Sequence, residues 1–149
     1  MSSRGLPGQG PSFVPAYQVS GTPFVTSSLS GTGVSSGGNT GNSKTRVIKF
    51  PYVTRWVQVR NIGTASLRVG FTANGVNAVT SASYYLLNPS NDGSGHSIAH
   101  TARWEVRCKE LHFRLHPDDG GTHFSVIAGM TGIKEFPTLT GSNGFQGVG

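Results

Sequence analysis

TRWVQVRNIGTASLRVGFT, at residues 54–72, carries the strongest fold signal in this chain. Its first half places Val57 and Val59 on one face, and its second half places Leu67, Val69 and Phe71 on one face. Alternation of β-branched and aromatic residues with a period of two is typical of half-buried strands. Gly, Thr and Ser between the two halves favour a short turn. The stretch therefore predicts a hairpin within a packed β-sandwich.

Short strands of the same character recur along the chain. The candidates lie at residues 22–28, 45–50, 54–61, 67–72, 84–88, 103–108, 111–116 and 123–130. Turns rich in Gly, Pro, Asn and Asp separate several of them. Such spacing is typical of an antiparallel sandwich or barrel, so the sequence predicts an all-β protein of about eight strands with little helix.

The phase of the apolar residues changes once, at Lys109 and Glu110. Before this point Trp104, Val106 and Cys108 occupy even positions, whereas Leu111, Phe113 and Leu115 after it occupy odd positions. A slip of one residue exchanges the two faces of a strand. The sequence therefore predicts a bulge or bend at Lys109–Glu110, which is common where strands serve two packed sheets.

Composition divides the chain into three parts. Gly makes up 22 of the 149 residues, and charged residues make up only 12%, about half the usual share of roughly 25%. We predict an extended Gly/Ser-rich arm at residues 1–43, a sandwich domain at residues 44–140 and a Gly-rich tail at residues 141–149. A surface with so little charge suits a subunit that is packed among neighbours.

The arm cannot bury enough apolar surface by itself to offset its ordering entropy. We therefore expect Phe13, Tyr17 and Phe24 to anchor it to a neighbouring subunit, the alternative being that it folds back over its own domain. Residues 22–28 could form a first strand, with Pro23 confining it to a sheet edge or a strand start. Removal of residues 1–43 is expected to weaken assembly and to leave the domain folded.

The net charge of +6 comes from 12 basic and 6 acidic residues, and the basic ones are spread singly along the strands. Without a run of Lys or Arg, a nucleic-acid-binding arm is not indicated. A basic face could still form in three dimensions. Nucleic acid is therefore not among the expected partners.

Residues that could carry chemistry do not form a recognisable motif. The single cysteine, Cys108, excludes an intramolecular disulfide and is in phase with buried residues. His112 and His116 are four residues apart, but in a strand this spacing does not converge on one ion. Paired carboxylates and a nucleophile elbow are likewise not evident. We therefore predict no catalytic residues, no metal site and no cofactor, and expect that the protein is not an enzyme.

Four residues of the strands at 54–72 are candidates for an interface. Trp56 shares a strand face with Gln58 and Arg60, and Arg68 is the outward residue of the following strand. An alternative function is a binding module, lectin-like or nucleic-acid-binding, that uses Trp56, Arg60 and Arg68. Aromatic rings beside arginines can stack on bases or sugars.

The order of several segments resembles a known family. These segments are FPYVTRWVQVRN, LRVGFT, YYLLNP, CKELHFRL and THFSVIAGMTGI, which begin at residues 50, 67, 84, 108 and 122. Together they resemble the small single-jelly-roll capsid proteins of large icosahedral double-stranded DNA viruses, particularly the penton proteins at the fivefold vertices. The resemblance covers residues 44–135.

This resemblance implies a single jelly-roll sandwich of two four-stranded sheets and a structural role in the virion. It also implies a pentamer at the vertices, contacts with major and minor capsid proteins, and no catalytic residues. The amino-terminal residues lack an apolar signal core and no stretch is long enough to span a bilayer, so synthesis in the host cytoplasm is expected. The tail at residues 141–149 adds no domain of the kind that a spike or receptor-binding role would need.

Overall fold

The computed structural model describes residues 21–28, 34–35, 44–77, 83–89, 99–116 and 121–149. These residues form one short helix, α1 (Ala73–Asn77), and a 3-10 turn at Gly141–Asn143. Neither is long and apolar enough to cross a membrane. The strands are β1 Thr22–Ser27, β2 Val34–Ser35, β3 Thr45–Lys49, β4 Thr54–Asn61, β5 Ser66–Gly70, β6 Tyr85–Leu87, β7 Glu110–His116, β8 Gly121–Thr122 and β9 Phe124–Met130.

The strands form two main antiparallel sheets, which confirms the predicted all-β class. The first sheet has the order β1-β9-β4 and the second has the order β3-β7-β5-β6, while β2 pairs with β8. A further chain segment, residues 99–104, lies along the outer edge of β4. There Val57 and Trp104 exchange backbone hydrogen bonds of 2.9 and 2.8 Å, and Thr101 N–H donates to the Val59 carbonyl at 2.8 Å. This segment is a fourth, irregular member of the first sheet.

The predicted strand at residues 103–108 is wrong as a regular strand, because only Trp104 makes a ladder bridge there. The predicted alternation is still present, with Trp104 and Val106 half-buried and Cys108 buried. In place of regular backbone pairing, the side chain of Thr54 binds backbone groups of this segment. Its hydroxyl donates to the Val106 carbonyl at 2.7 Å and accepts from Cys108 N–H at 3.0 Å.

The predicted hairpin at residues 54–72 is also wrong. Both strands are present, but β4 pairs with β9 in the first sheet, and β5 pairs with β6 and β7 in the second. Asn61 stabilises the turn through which the chain passes from β4 in the first sheet to β5 in the second. Its amide donates to the carbonyls of Ala65 and Asn88 at 2.8 and 3.0 Å, and its Oδ1 accepts from Gly63 N–H and the Thr122 hydroxyl. The alternation of apolar residues correctly predicted which face of each strand is buried. It did not predict which strand pairs with which.

The core lies between the two sheets. Phe113 of β7 and Phe124 of β9 stack across it, with ring centroids 4.1 Å apart and an angle of 15° between the rings. The inward residues of β4 and β5 complete it: Val57, Val59, Leu67 and Val69. The predicted bend is confirmed at Lys109, where the chain passes from the edge of the first sheet into β7. The change of apolar phase therefore marks a change of sheet.

Strand β1 belongs to the sandwich although it lies within the predicted arm. It pairs with β9 from Thr22↔Met130 to Ser27↔Ser125, and the Phe24 ring meets the Phe50 ring edge-on with centroids 5.0 Å apart. The first sheet therefore includes a strand that precedes Lys44. Removal of residues 1–43 would delete this strand, so with the fold in view we expect the remaining domain to lose stability.

Candidate interaction surface

The first sheet presents one side to the outside, which we call the outer face. Val57, Val59, Val126 and Ala128 point into the core, and successive side chains of a strand point to opposite sides. The residues between and beside them therefore point outward. The outer face comprises Val25 of β1, Trp56, Gln58 and Arg60 of β4, and Ser125 and Ile127 of β9.

Two apolar side chains occupy the part of the outer face nearest to β1. Val25 and Ile127 lie directly opposite each other in the β1–β9 ladder, and they are 67% and 41% exposed. A shallow groove of about 460 Å³ runs beside them and is also lined by Gln58, Arg60 and His100. Contiguous exposed apolar surface can mark a protein–protein contact, so this pair and its groove are a candidate interaction surface.

Neutral polar groups surround this pair. The hydroxyls of Ser27 and Ser125 are 2.7 Å apart, and the Gln58 amide donates to the Thr101 carbonyl at 3.2 Å. Arg60 is exposed, and its backbone forms an isolated bridge with His100. The groove thus combines an apolar centre with a polar rim that carries one fixed positive charge.

Trp56 lies at the other end of the outer face, with its indole against Gly129 of β9. A Cβ atom built on Gly129 would collide with Nε1 of the Trp56 indole, so this contact requires glycine. The Arg103 guanidinium lies 5.8 Å from the centroid of the Trp56 ring and pairs with the Glu105 carboxylate at 2.8 Å. The indole is half-buried by its own domain and keeps part of its surface available.

Gly129→Ala is expected to lower the free energy of unfolding by about 1–3 kcal/mol, because the added methyl group must displace the Trp56 indole. Chemical denaturation measures this change, and tryptophan fluorescence in the native state should shift as the indole becomes more exposed. Gly141→Ala is the matched control, since nothing lies within 4 Å of a Cβ at that position. Equal stability of both variants would contradict the described packing of Trp56.

The predicted interface residues do not form one surface. Trp56, Gln58 and Arg60 come together on the outer face. Arg68 lies on the opposite side of the sandwich, where its guanidinium donates to His116 Nδ1 at 3.1 Å and to the Val76 carbonyl at 3.1 Å. The same group lies 4.9 Å from the centroid of the Tyr84 ring. Arg68 therefore fastens α1 and β7 to β5.

Phe24 points into the sandwich and packs against Phe50. Its ring is thus engaged within its own domain. Phe13 and Tyr17, the other two anchors predicted for the arm, lie outside the described residues.

Polar side chains elsewhere in the described residues have the chemistry of metal ligands but do not converge on one site. Glu110 Oε1 and His112 Nε2 are 3.0 Å apart, and His112 is buried rather than facing solvent. Within the ranges that the structure describes, no three His, Cys, Asp or Glu side chains come together as a metal site would require. His96 and the turn at Asp118–Asp119 lie outside those ranges.

Cys108 is fully buried, and desolvation raises the pKa of its thiol to about 11, partly opposed by the hydrogen bond with Thr54. At pH 8 we expect a thiol reagent to label the native chain far more slowly than the unfolded chain. Because the pKa of the thiol is raised in the folded state, the free energy of unfolding falls at high pH. The thiol is neutral in both states below about pH 9, and above it the unfolded chain ionises first, so the folded state loses stability between pH 9 and 11. Rapid native labelling at pH 8 would contradict this burial.

Val25 and Ile127 were not among the residues predicted from the sequence. One signal for Ile127 was available, because Val126, Ile127 and Ala128 are consecutive apolar residues within one strand. A strand that is buried on one face cannot hide all three, so one of them must point outward. Val25 gave a weaker signal, since its neighbour Phe24 could equally have been the outward residue.

No family model matches this chain, and no match was found among curated proteins or among solved structures.

Proposed function

We propose that this chain is a structural capsid protein with a single jelly-roll fold. In this proposal it forms pentamers at the vertices of an icosahedral double-stranded DNA virus shell and contacts major and minor capsid proteins there. Its place is then the virion, after synthesis in the host cytoplasm, and its work is assembly rather than catalysis.

The order of the strands is the observation that carries this proposal. With residues 99–104 included, the sheets read β1-β9-β4-(99–104) and β3-β7-β5-β6. The first and last long strands are neighbours. Along β1, β3, β4, β5–β6, residues 99–104, β7 and β9, the chain changes sheet at every step. Two four-stranded antiparallel sheets connected in this interleaved way are what a jelly roll requires. The order thus supports the fold that the sequence resemblance implies.

The character of the outer face supports an assembly role. Its exposed apolar pair, Val25 and Ile127, and its neutral polar rim could be buried against another subunit without desolvating many charges. The core of a protein–protein interface is depleted of charged residues in the same way. A ring of copies requires such a surface on each subunit, with a complementary partner surface elsewhere.

The test is the effect of Ile127→Asp on assembly of the full chain. A charge at the centre of the outer face should shift the assembled complex towards free subunits, as measured by native mass spectrometry or sedimentation. Val47→Asp is the matched control, because Val47 is 40% exposed on the outward side of β3 in the second sheet. Unchanged assembly of the Ile127→Asp variant would overturn the assignment of the outer face as an assembly contact.

The alternative function, a binding module that uses Trp56, Arg60 and Arg68, receives less support from the geometry. Arg68 lies on the opposite side of the sandwich from the other two, and its guanidinium is already bonded. Affinity for nucleic acid should fall steeply with added salt, whereas apolar contacts between subunits should not. A salt titration therefore separates the two functions.

A further inference from the structure

The groove of the outer face crosses the strands of the first sheet. Val25 and Ile127, which are ladder partners, line it near β1, and Arg60 lines it at β4. Neighbouring strands lie about 4.8 Å apart, so the two ends of the groove are separated by two strand spacings, or about 10 Å. The groove therefore has an apolar end and a cationic end.

The positive charge of Arg60 is not balanced by a carboxylate among the residues that the structure describes. The two ion pairs found there join Arg103 to Glu105 and His112 to Glu110. Arg60 itself is exposed. Complementary charges across an interface guide association and set its specificity. The groove is therefore suited to a partner surface that carries both a carboxylate and apolar groups.

A segment that follows β9 carries such groups. Three carboxylates lie in the described part of the chain, and Glu135 is the one outside both ion pairs. Glu135 and Pro137 are exposed, and Phe136 between them is half-buried. We call residues 135–137 the acidic loop. It presents one carboxylate beside apolar side-chain atoms.

Hydrogen bonds hold the backbone on both sides of the acidic loop. Lys109 Nζ donates to the Lys134 carbonyl at 2.7 Å, and the Asn143 side-chain amide donates to the Thr138 carbonyl at 2.9 Å. Pro137 restricts the backbone further, because its ring fixes φ. A segment that is already held in its bound conformation loses little conformational entropy on binding. The acidic loop is therefore preorganised for a contact.

The groove and the acidic loop lie at opposite ends of the first sheet. Arg60 is the ladder partner of Ser125, near the start of β9. The loop follows Ile133, whose carbonyl accepts from Val53 N–H just before β4. At about 3.3 Å per residue, the chain rises about 20 Å between Val53 and Arg60. A contact between Glu135 and Arg60 therefore requires two copies of the chain.

We propose that the acidic loop of one copy of this chain binds in the groove of the next copy, with the Glu135 carboxylate on the Arg60 guanidinium and Pro137 against Val25 and Ile127. Because the two surfaces lie at opposite ends of one sheet, the contact is head-to-tail. Contacts of this kind form a ring when the rotation between copies closes. The inference rests on the proposed function, because it names the two surfaces that join neighbouring copies in the ring.

The test is an exchange of charges in the full chain, followed by native mass spectrometry over a range of concentrations. Arg60→Glu alone and Glu135→Arg alone each bring like charges together. Each should raise the concentration needed for half-assembly by about tenfold or more, since like charges across an interface are strongly unfavourable. The double variant Arg60→Glu/Glu135→Arg restores opposite charges with their positions exchanged, and we expect it to regain most of the native assembly.

Two exposed lysines supply matched controls. Lys44→Glu reverses a charge next to β3 in the second sheet, and Lys134→Gln removes a charge beside the acidic loop. Neither should weaken assembly. Arg60 and Glu135 are exposed as well, so every variant should keep the unfolding midpoint of the native chain, as measured by circular dichroism.

Native-like assembly of either single variant would overturn the proposal and leave the capsid function standing on another contact. Weakened assembly of both single variants without recovery in the double variant would also overturn it, because the two side chains would then act separately. A native chain that remains monomeric at every concentration would remove the function on which the inference rests, and the inference with it.

Discussion

Phe113→Ala is expected to lower the free energy of unfolding by about 3–5 kcal/mol, the usual cost of removing a buried aromatic ring. Phe113 is completely buried, and its ring stacks on Phe124 of the opposite sheet at 4.1 Å. Its loss leaves a cavity between the sheets and removes the aromatic contact that joins β7 to β9. Since domains are stable by only about 5–15 kcal/mol, a large part of the population should unfold under mild denaturing conditions.

Urea denaturation followed by circular dichroism measures this loss. Ile127→Ala is the control, because its side chain is 41% exposed on the outer face and surface substitutions usually change stability by about 0.5 kcal/mol or less. If both variants unfolded at the same urea concentration, Phe113 would not hold the two sheets together.

Deletion of residues 1–43 is expected to abolish cooperative folding. The deletion removes β1 and its backbone pairing with β9, so the edge of β9 that faces β1 becomes exposed. It also removes the Phe24 ring from its contact with Phe50. Complete burial of a Phe side chain contributes about 1.5–3 kcal/mol, and Phe24, which is partly buried against the core, contributes part of this. The lost backbone hydrogen bonds add to that cost. Circular dichroism and the dispersion of amide proton signals should report the loss.

Deletion of residues 1–20 is the matched comparison, since it leaves all the described residues in place. We expect this shorter deletion to keep the unfolding midpoint of the full chain and to weaken assembly. A folded, cooperative chain after deletion of residues 1–43 would contradict the role of β1 as part of the sandwich.

The positions of most strands could be predicted from the sequence because burial on one face leaves an alternating pattern. Strand β4 begins and ends at the predicted residues, Thr54 and Asn61. Pairing could not be predicted in the same way. Val57 and Leu67 occupy equivalent positions in the alternating pattern, yet they enter the core from opposite sheets. The passage of the chain from one sheet to the other depends on the hydrogen bond between Asn61 and the distant Thr122. Local alternation contains no information about such a long-range partner.

The candidate surface was predictable only in part, for a related reason. The shared phase of Trp56, Gln58 and Arg60 correctly placed them on one face. Arg68 also points outward, but its partners His116 and Val76 come from other elements that the sequence could not bring to it. Ile127 belongs to β9, which became a neighbour of both β1 and β4 only through the fold.

The mass of the full chain in solution, measured by native mass spectrometry over a range of concentrations, tests the proposed vertex assembly most directly. We expect a closed complex of five chains of 15.6 kDa each, which dissociates when Ile127 is replaced by aspartate. A stable monomer at every concentration, with no association with capsid proteins, would contradict it.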